Sequence, residues 1–69
     1  MAHKFHEGQL VRIVANEMKP KTIGKVGRIM DLAIDQVNCV YLYKVRLVDK
    51  KRSLPGWAEE DCLVPANPD

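Results

Sequence analysis

The strongest constraint on the fold is a strict two-residue alternation between Val40 and Asp49. One side of this segment carries large apolar side chains, namely Tyr41, Tyr43, Val45 and Leu47. The other side includes two basic side chains among apolar ones, those of Lys44 and Arg46. Because successive side chains of a β-strand point to opposite faces, this alternation predicts a strand that packs one face on the core.

Four further segments rich in β-branched and aliphatic residues are short and are separated by turn-like residues. They span residues 9–14, 24–30, 54–58 and 63–64 and predict short strands. Residues 59–62 predict one short helical turn before the last strand. Residues 29–40 fit either a helical turn or two strands joined by a polar tip at Asp35 and Gln36, and we favour the strands. The expected fold is an all-β, strongly bent antiparallel barrel of about five strands.

Length and composition indicate one soluble domain. The 69 residues allow a single small core, and 46% hydrophobic with 29% charged residues is typical of a globular chain. We expect a flexible N-terminus over residues 1–7, the barrel over residues 8–65 and a flexible tail over residues 66–69. The chain has no apolar run of ~18 residues and begins with a polar segment, so we expect a cytoplasmic protein that does not span a membrane.

The same patterns predict the core and the state of the cysteines. The predicted core residues are Val11, Ile13, Val26, Ile29, Tyr43, Val45, Leu47 and Leu63. Two cysteines, Cys39 and Cys62, are too few for a disulfide framework. Each has apolar neighbours in the sequence, so we expect two buried, reduced thiols.

Four stretches occur in an order that matches a known group of small barrels. They are residues 7–13 (EGQLVRI), 24–29 (GKVGRI), 43–47 (YKVRL) and 57–64 (WAEEDCLV). Together they resemble the SH3-like barrels of the electron-transport accessory family, which includes a small accessory polypeptide of photosystem I, the variable chain of ferredoxin–thioredoxin reductase and the nitrile hydratase β-subunit barrel. The resemblance implies a small SH3-like barrel that docks on a larger protein without chemistry of its own. Residues 24–29 also resemble part of the KOW motif of ribosomal and transcription-associated proteins.

The residues that could carry out chemistry do not form a recognisable catalytic pattern. His3 and His6 offer two metal ligands and Cys39 or Cys62 a third, but zinc sites need three or four convergent ligands, and two histidines in a mobile N-terminus are more often solvated. Glu59, Glu60 and Asp61 point in different directions from one turn, which indicates a solvated, backbone-capping turn or a docking surface for a basic partner. We therefore expect no enzymatic activity, no cofactor and no bound metal. An enzyme whose site forms only in an oligomer is the weakest of three functional hypotheses.

The first hypothesis is a non-catalytic module that docks on a larger protein complex through two loops, residues 18–21 and 50–57. Its candidate contact residues are Lys19, Lys21, Lys50, Lys51, Arg52 and Trp57. The second hypothesis is a nucleic-acid-binding barrel that grips phosphates with basic strand residues and the turn at residues 50–52. Its candidate residues are Arg12, Arg28, Lys44 and Arg46. The first needs an exposed anchor, for which Trp57 is the best candidate, and the second needs its basic residues on one face. The sequence leaves open the partner, the pathway and the oligomeric state.

Overall fold

A computed structural model describes residues 3–49, 52–53 and 56–66 of the chain. Its strands are β1 (Leu10–Ile13), β2 (Val26–Asp35), β3 (Val40–Leu47), β4 (Arg52–Ser53), β5 (Ala58–Glu59) and β6 (Leu63–Pro65). Two 3₁₀ turns complete the regular structure, the first at Pro20–Thr22 and the second at Glu60–Cys62. Within the described ranges, no helix is both long enough and apolar enough to cross a lipid bilayer.

All strands belong to one antiparallel sheet in the order β4-β3-β2-β1-β6, and β5 pairs with β3 beside this path. The predicted all-β class, the antiparallel pairing and the helical turn before the last strand are confirmed. The sheet bends around its core but is not a closed barrel, because no ladder joins β4 to β6 in the part of the chain that is described. The proposed limits of the domain at residues 8 and 65 stay a prediction.

The ambiguous stretch, residues 29–40, forms two strands and a tight turn, as the period-two interpretation predicts. Asp35 ends β2 and accepts hydrogen bonds from the backbone N–H groups of Val37 and Asn38, which fixes the turn. β2 and β3 pair from Gly27 opposite Leu47 to Asp35 opposite Val40, with one bulge between Ile29 and Asp31. Of the strand predicted over residues 54–58, Ala58 lies in β5 and residues 56–57 are not in a strand, while residues 54–55 lie outside the described part.

Gly27 allows β2 and β3 to approach closely at the start of the hairpin. A Cβ at this position would overlap the Val45 side chain and would lie 3.0 Å from the carbonyl oxygen of Arg46. Close contact of this kind excludes any larger residue. The glycine therefore permits the packing of Val45 against the inner face of β2.

The core lies on the concave face of the sheet and consists of Phe5, Val11, Ile13, Ile29, Tyr43, Val45, Leu47 and Leu63. Every predicted core residue is buried except Val26, which is half-buried because it points outward opposite Arg12. The prediction for Val26 is therefore wrong. Phe5 was not predicted, yet only 2% of it is exposed and its ring lies 5.2 Å from that of Tyr43.

The phenol of Tyr43 holds three distant parts of the chain together. Its ring is fully buried, so its hydroxyl needs hydrogen-bond partners inside the protein. The hydroxyl accepts from the backbone N–H of Phe5 at 3.2 Å and donates to Glu60 Oε2 at 2.6 Å. Glu60 Oε2 also accepts from the backbone N–H of Lys4 at 3.0 Å. This set of bonds, called the Tyr43 lock below, fastens residues 4–5 to the second 3₁₀ turn.

The lock predicts a specific loss of stability in acid. The hydrogen bond from Tyr43 lowers the pKa of Glu60 below its usual value, so the folded state favours the carboxylate more than the unfolded state does. This contribution is complete above the unfolded pKa and disappears as pH falls through the folded pKa. We expect Tyr43→Phe to lower the free energy of unfolding at pH 7 by about 1–2 kcal/mol. Because this variant lacks the bond to Glu60, its free energy of unfolding should decrease less on acidification than that of the unchanged protein.

Urea unfolding followed by far-UV circular dichroism at pH 7 and at about pH 3 would measure both effects. Glu59→Gln is the matched control, since Glu59 is exposed and lies next to Glu60 but outside the lock. Equal losses on acidification in the unchanged protein and in Tyr43→Phe would contradict the role given to this bond.

Candidate functional site

An open groove of about 320 Å³ lies between the loop after β1 and the segment that contains β5 and the second 3₁₀ turn. Its lining residues are Ile13, Ala15, Asn16, Glu17, Met18, Lys19, Trp57, Ala58, Glu59 and Cys62. The groove brings together residues from both loops that were predicted as contact surfaces. Met18 and Lys19 come from the first loop, and Trp57 comes from the second. Loops carried by a rigid sheet are common sites of recognition.

Side-chain hydrogen bonds brace the loop after β1. Asn16 Nδ2 donates to Thr22 Oγ1 at 2.8 Å, and Asn16 Oδ1 accepts from the backbone N–H of Lys19 at 3.0 Å. Thr22 Oγ1 donates to the carbonyl of Lys19 at 2.7 Å. Gly24, with φ of +90°, returns the chain to β2 and donates its N–H to the carbonyl of Ile13. The loop is therefore held in one shape although its residues are largely exposed.

Two large apolar side chains stand exposed at the groove. Met18, at the tip of the braced loop, is 88% exposed, and Trp57, which precedes β5, is 46% exposed. The Lys44 ammonium lies 5.9 Å from the Trp57 ring and donates to the carbonyl of Gly56 at 3.4 Å, which steadies the indole. Exposed apolar groups on a fixed frame are typical of contact surfaces, because they lose little freedom on binding.

Carboxylates surround the thiol at the inner end of the groove. Burial raises the pKa of Cys62, and the negative charges of Glu59, Asp61 and Glu17 raise it further. The thiol is thus kept protonated, which makes it a weak nucleophile. Two of these acidic residues, Glu17 and Glu59, line the groove themselves, where Lys19 is the basic residue among the described ones.

The remaining predicted loop residues are placed as follows. Lys21 is exposed on the first 3₁₀ turn and does not line the groove. Lys50 and Lys51 lie outside the described residues. The backbone of Arg52 belongs to β4 and pairs with Leu47. The groove therefore contains Lys19 and Trp57 from the predicted set. It also includes Asn16 and Glu17, which the sequence did not single out, and Glu59, for whose acidic run a docking surface for a basic partner was one alternative.

Three of the four basic strand residues share the outer face of the sheet in one row. Arg28 on β2 is directly opposite Arg46 on β3, and Arg12 on β1 is diagonal to Arg28, since Leu10 is opposite Arg28 and Arg12 is opposite Val26. All three arginines are exposed. Lys44 points to the same face but is opposite Asp31 and beside Trp57. The basic residues are thus not scattered over opposite sides.

The histidines and cysteines have local roles. His3 bonds through Nε2 to the carbonyl of Ala33 and packs 4.4 Å from the Tyr41 ring, while His6 bonds to the carbonyl of Glu7. Among the described residues, no three histidine, cysteine or acidic side chains converge as a metal site would require. The expectation of two buried thiols is wrong: Cys39 is exposed in the β2–β3 turn with φ of +55°, and Cys62 is only half-buried.

The fold and this site define a small all-β domain with an open groove that is bordered by a braced loop and an acidic turn. No protein-family model, curated protein or solved structure matches the chain.

The two thiols are expected to differ in reactivity. Cys39 is exposed, whereas Cys62 is half-buried, and its raised pKa leaves less thiolate at neutral pH. Iodoacetamide at about pH 7.5 should modify Cys39 before Cys62. Mass spectrometry would measure the alkylation of each cysteine over time. Cys39→Ser isolates the slower reaction of Cys62, and Glu59→Gln should speed that reaction. Faster alkylation of Cys62 than of Cys39 would contradict this account of the groove.

Proposed function

We propose that the protein is a non-catalytic accessory module that docks on a larger protein through the groove between residues 15–19 and 57–62. The observation that carries this proposal is the convergence of Met18 and Trp57, from two separate loops, on one groove. Tryptophan is the residue type most often responsible for binding energy at protein interfaces. The SH3-like accessory resemblance is part of this proposal and favours the same role.

The charges at the groove indicate the chemistry of the partner. The lining is apolar at Ile13 and Ala58, and it carries the carboxylates of Glu17 and Glu59. An extended segment with an apolar side chain next to a lysine or arginine complements both features. The apolar side chain would pack against Trp57 and Met18, and the basic one would face the carboxylates.

The state of Cys62 supports a role without catalysis. This thiol is the most reactive type of side chain in the groove, but its raised pKa opposes formation of the thiolate that a nucleophile requires. We include a cytoplasmic location in the proposal, because an exposed free thiol such as that of Cys39 persists in a reducing compartment.

The groove predicts selective binding of basic, apolar peptides. The probe is a synthetic decapeptide of alternating leucine and lysine, compared with the same peptide carrying glutamate for lysine. We expect only the lysine peptide to shift the amide NMR signals of residues 15–19 and 57–62 and the indole N–H signal of Trp57. Trp57→Ala should weaken this binding by roughly tenfold or more, as loss of an interface anchor does.

Val37→Ala is the matched control, since Val37 is 90% exposed but lies in the β2–β3 turn, away from the groove. Glu59→Lys should weaken binding of the lysine peptide and strengthen binding of the glutamate peptide. Three results would each count against the proposal: signal changes outside the groove, equal binding of the two peptides, or unchanged affinity in Trp57→Ala.

A further inference from the structure

The outer face of the sheet carries an arrangement of charge that folding does not require. Arg28 and Arg46 are direct cross-strand partners on β2 and β3, and Arg12 extends the line onto β1. Directly opposite residues in an antiparallel pair have Cβ atoms about 4.5–5.5 Å apart, and diagonal ones about 7–8 Å. We call Arg12, Arg28 and Arg46 the arginine row.

The Arg28–Arg46 pair is unfavourable in the free protein. Like charges directly opposite one another destabilise a sheet. Arg28 Nη1 donates to the carbonyl of Gly8 at 2.7 Å, which orients the guanidinium but leaves its charge in place. Among the described residues, a salt bridge joins Lys25 Nζ to Asp49 Oδ2 at 3.1 Å. No salt bridge between described residues involves an arginine of the row.

The neighbouring Lys44 shows the contrast. It is opposite Asp31, and its ammonium lies over the Trp57 ring, so its charge has local partners. Among the basic residues of β1, β2 and β3, the three arginines are the ones with no acidic or aromatic side chain as a described partner. Their position on three consecutive strands, about 4.8 Å apart, gives a line of cations about 10 Å long.

We propose that the arginine row binds the phosphate backbone of a nucleic-acid strand. Guanidinium groups bind phosphate oxygens through two parallel hydrogen bonds, and a ligand of regularly spaced phosphates can meet all three arginines at once. A single phosphate, as in one lipid headgroup, could occupy only part of the line. Backbone contacts carry no sequence information, so this binding is independent of base sequence.

The test uses fluorescein-labelled oligonucleotides of about 20 nucleotides, single-stranded and duplex, in anisotropy titrations at about 20 mM and 150 mM salt. We expect binding at the lower salt that weakens steeply at the higher one. Arg46→Glu should reduce affinity at low salt about tenfold or more and make the salt dependence shallower by about one phosphate contact. The control is Lys21→Glu, the same change of charge at an exposed position outside the row, with less than about a threefold effect.

Thermal unfolding of the same variants separates binding from folding. Arg46→Glu replaces a like-charge pair by an opposite-charge pair with Arg28, so its melting temperature should not fall below that of the unchanged protein. Lost binding in a variant of at least equal stability supports a ligand site. Arg12→Glu, at the other end of the row, should show the same loss.

Several results would overturn the proposal. One is absence of oligonucleotide binding at low salt. Another is an equal loss of affinity in Lys21→Glu and Arg46→Glu, which would indicate attraction by net charge alone. A third is binding to phosphatidylserine vesicles or to a phosphoserine peptide that depends on Arg46 and is tighter than binding to either oligonucleotide. That result would assign the arginine row to another source of phosphate.

Discussion

The structure depends on the hydrogen bonds that the hydroxyl of one fully buried tyrosine requires inside the protein. Tyr43 fills the centre of a core that a chain of this size keeps small, and a buried phenol without hydrogen-bond partners would destabilise the fold. Phe5 and Glu60 supply those partners from the two ends of the chain. The bond that completes the core also fixes the second 3₁₀ turn, and this turn places Glu59 and Cys62 at the groove. The bonds that complete the core therefore also position part of the groove.

A bent sheet around a small core leaves loops and the outer face for binding, since the inner face is consumed by packing. In this protein the two regions carry opposite charge. The groove combines an apolar floor with acidic side chains, and the outer face presents the arginine row. A ligand suited to one surface is repelled by the other, so the two proposed sites select different partners. Lys44, between Asp31 and Trp57, lies where the basic face meets the edge of the groove.

Local patterns predicted the parts of the structure that depend on strand geometry. The alternation in β3, the two strands of residues 29–40 and the turn before β6 follow from side-chain period and turn chemistry, which are properties of neighbouring residues. The errors have non-local causes. Phe5 is buried by Tyr43, 38 positions away, whereas the apolar neighbours of Cys39 gave no sign that it would take a positive φ in an exposed turn. Val26 is apolar but points outward, because its register with Arg12 assigns it to the other face.

The sequence alone determined an all-β chain and the face that β3 buries, and it proposed two loops as candidate contact surfaces. Those features are set within a few residues, by the alternating geometry of extended backbone and by the conformational preferences of turn residues. Only the tertiary structure decided that Met18 and Trp57 line one groove together with Glu17 and Glu59, and that Arg28 and Arg46 are direct partners. Strand register and loop proximity are set by packing between segments far apart in the chain, and no local pattern encodes them.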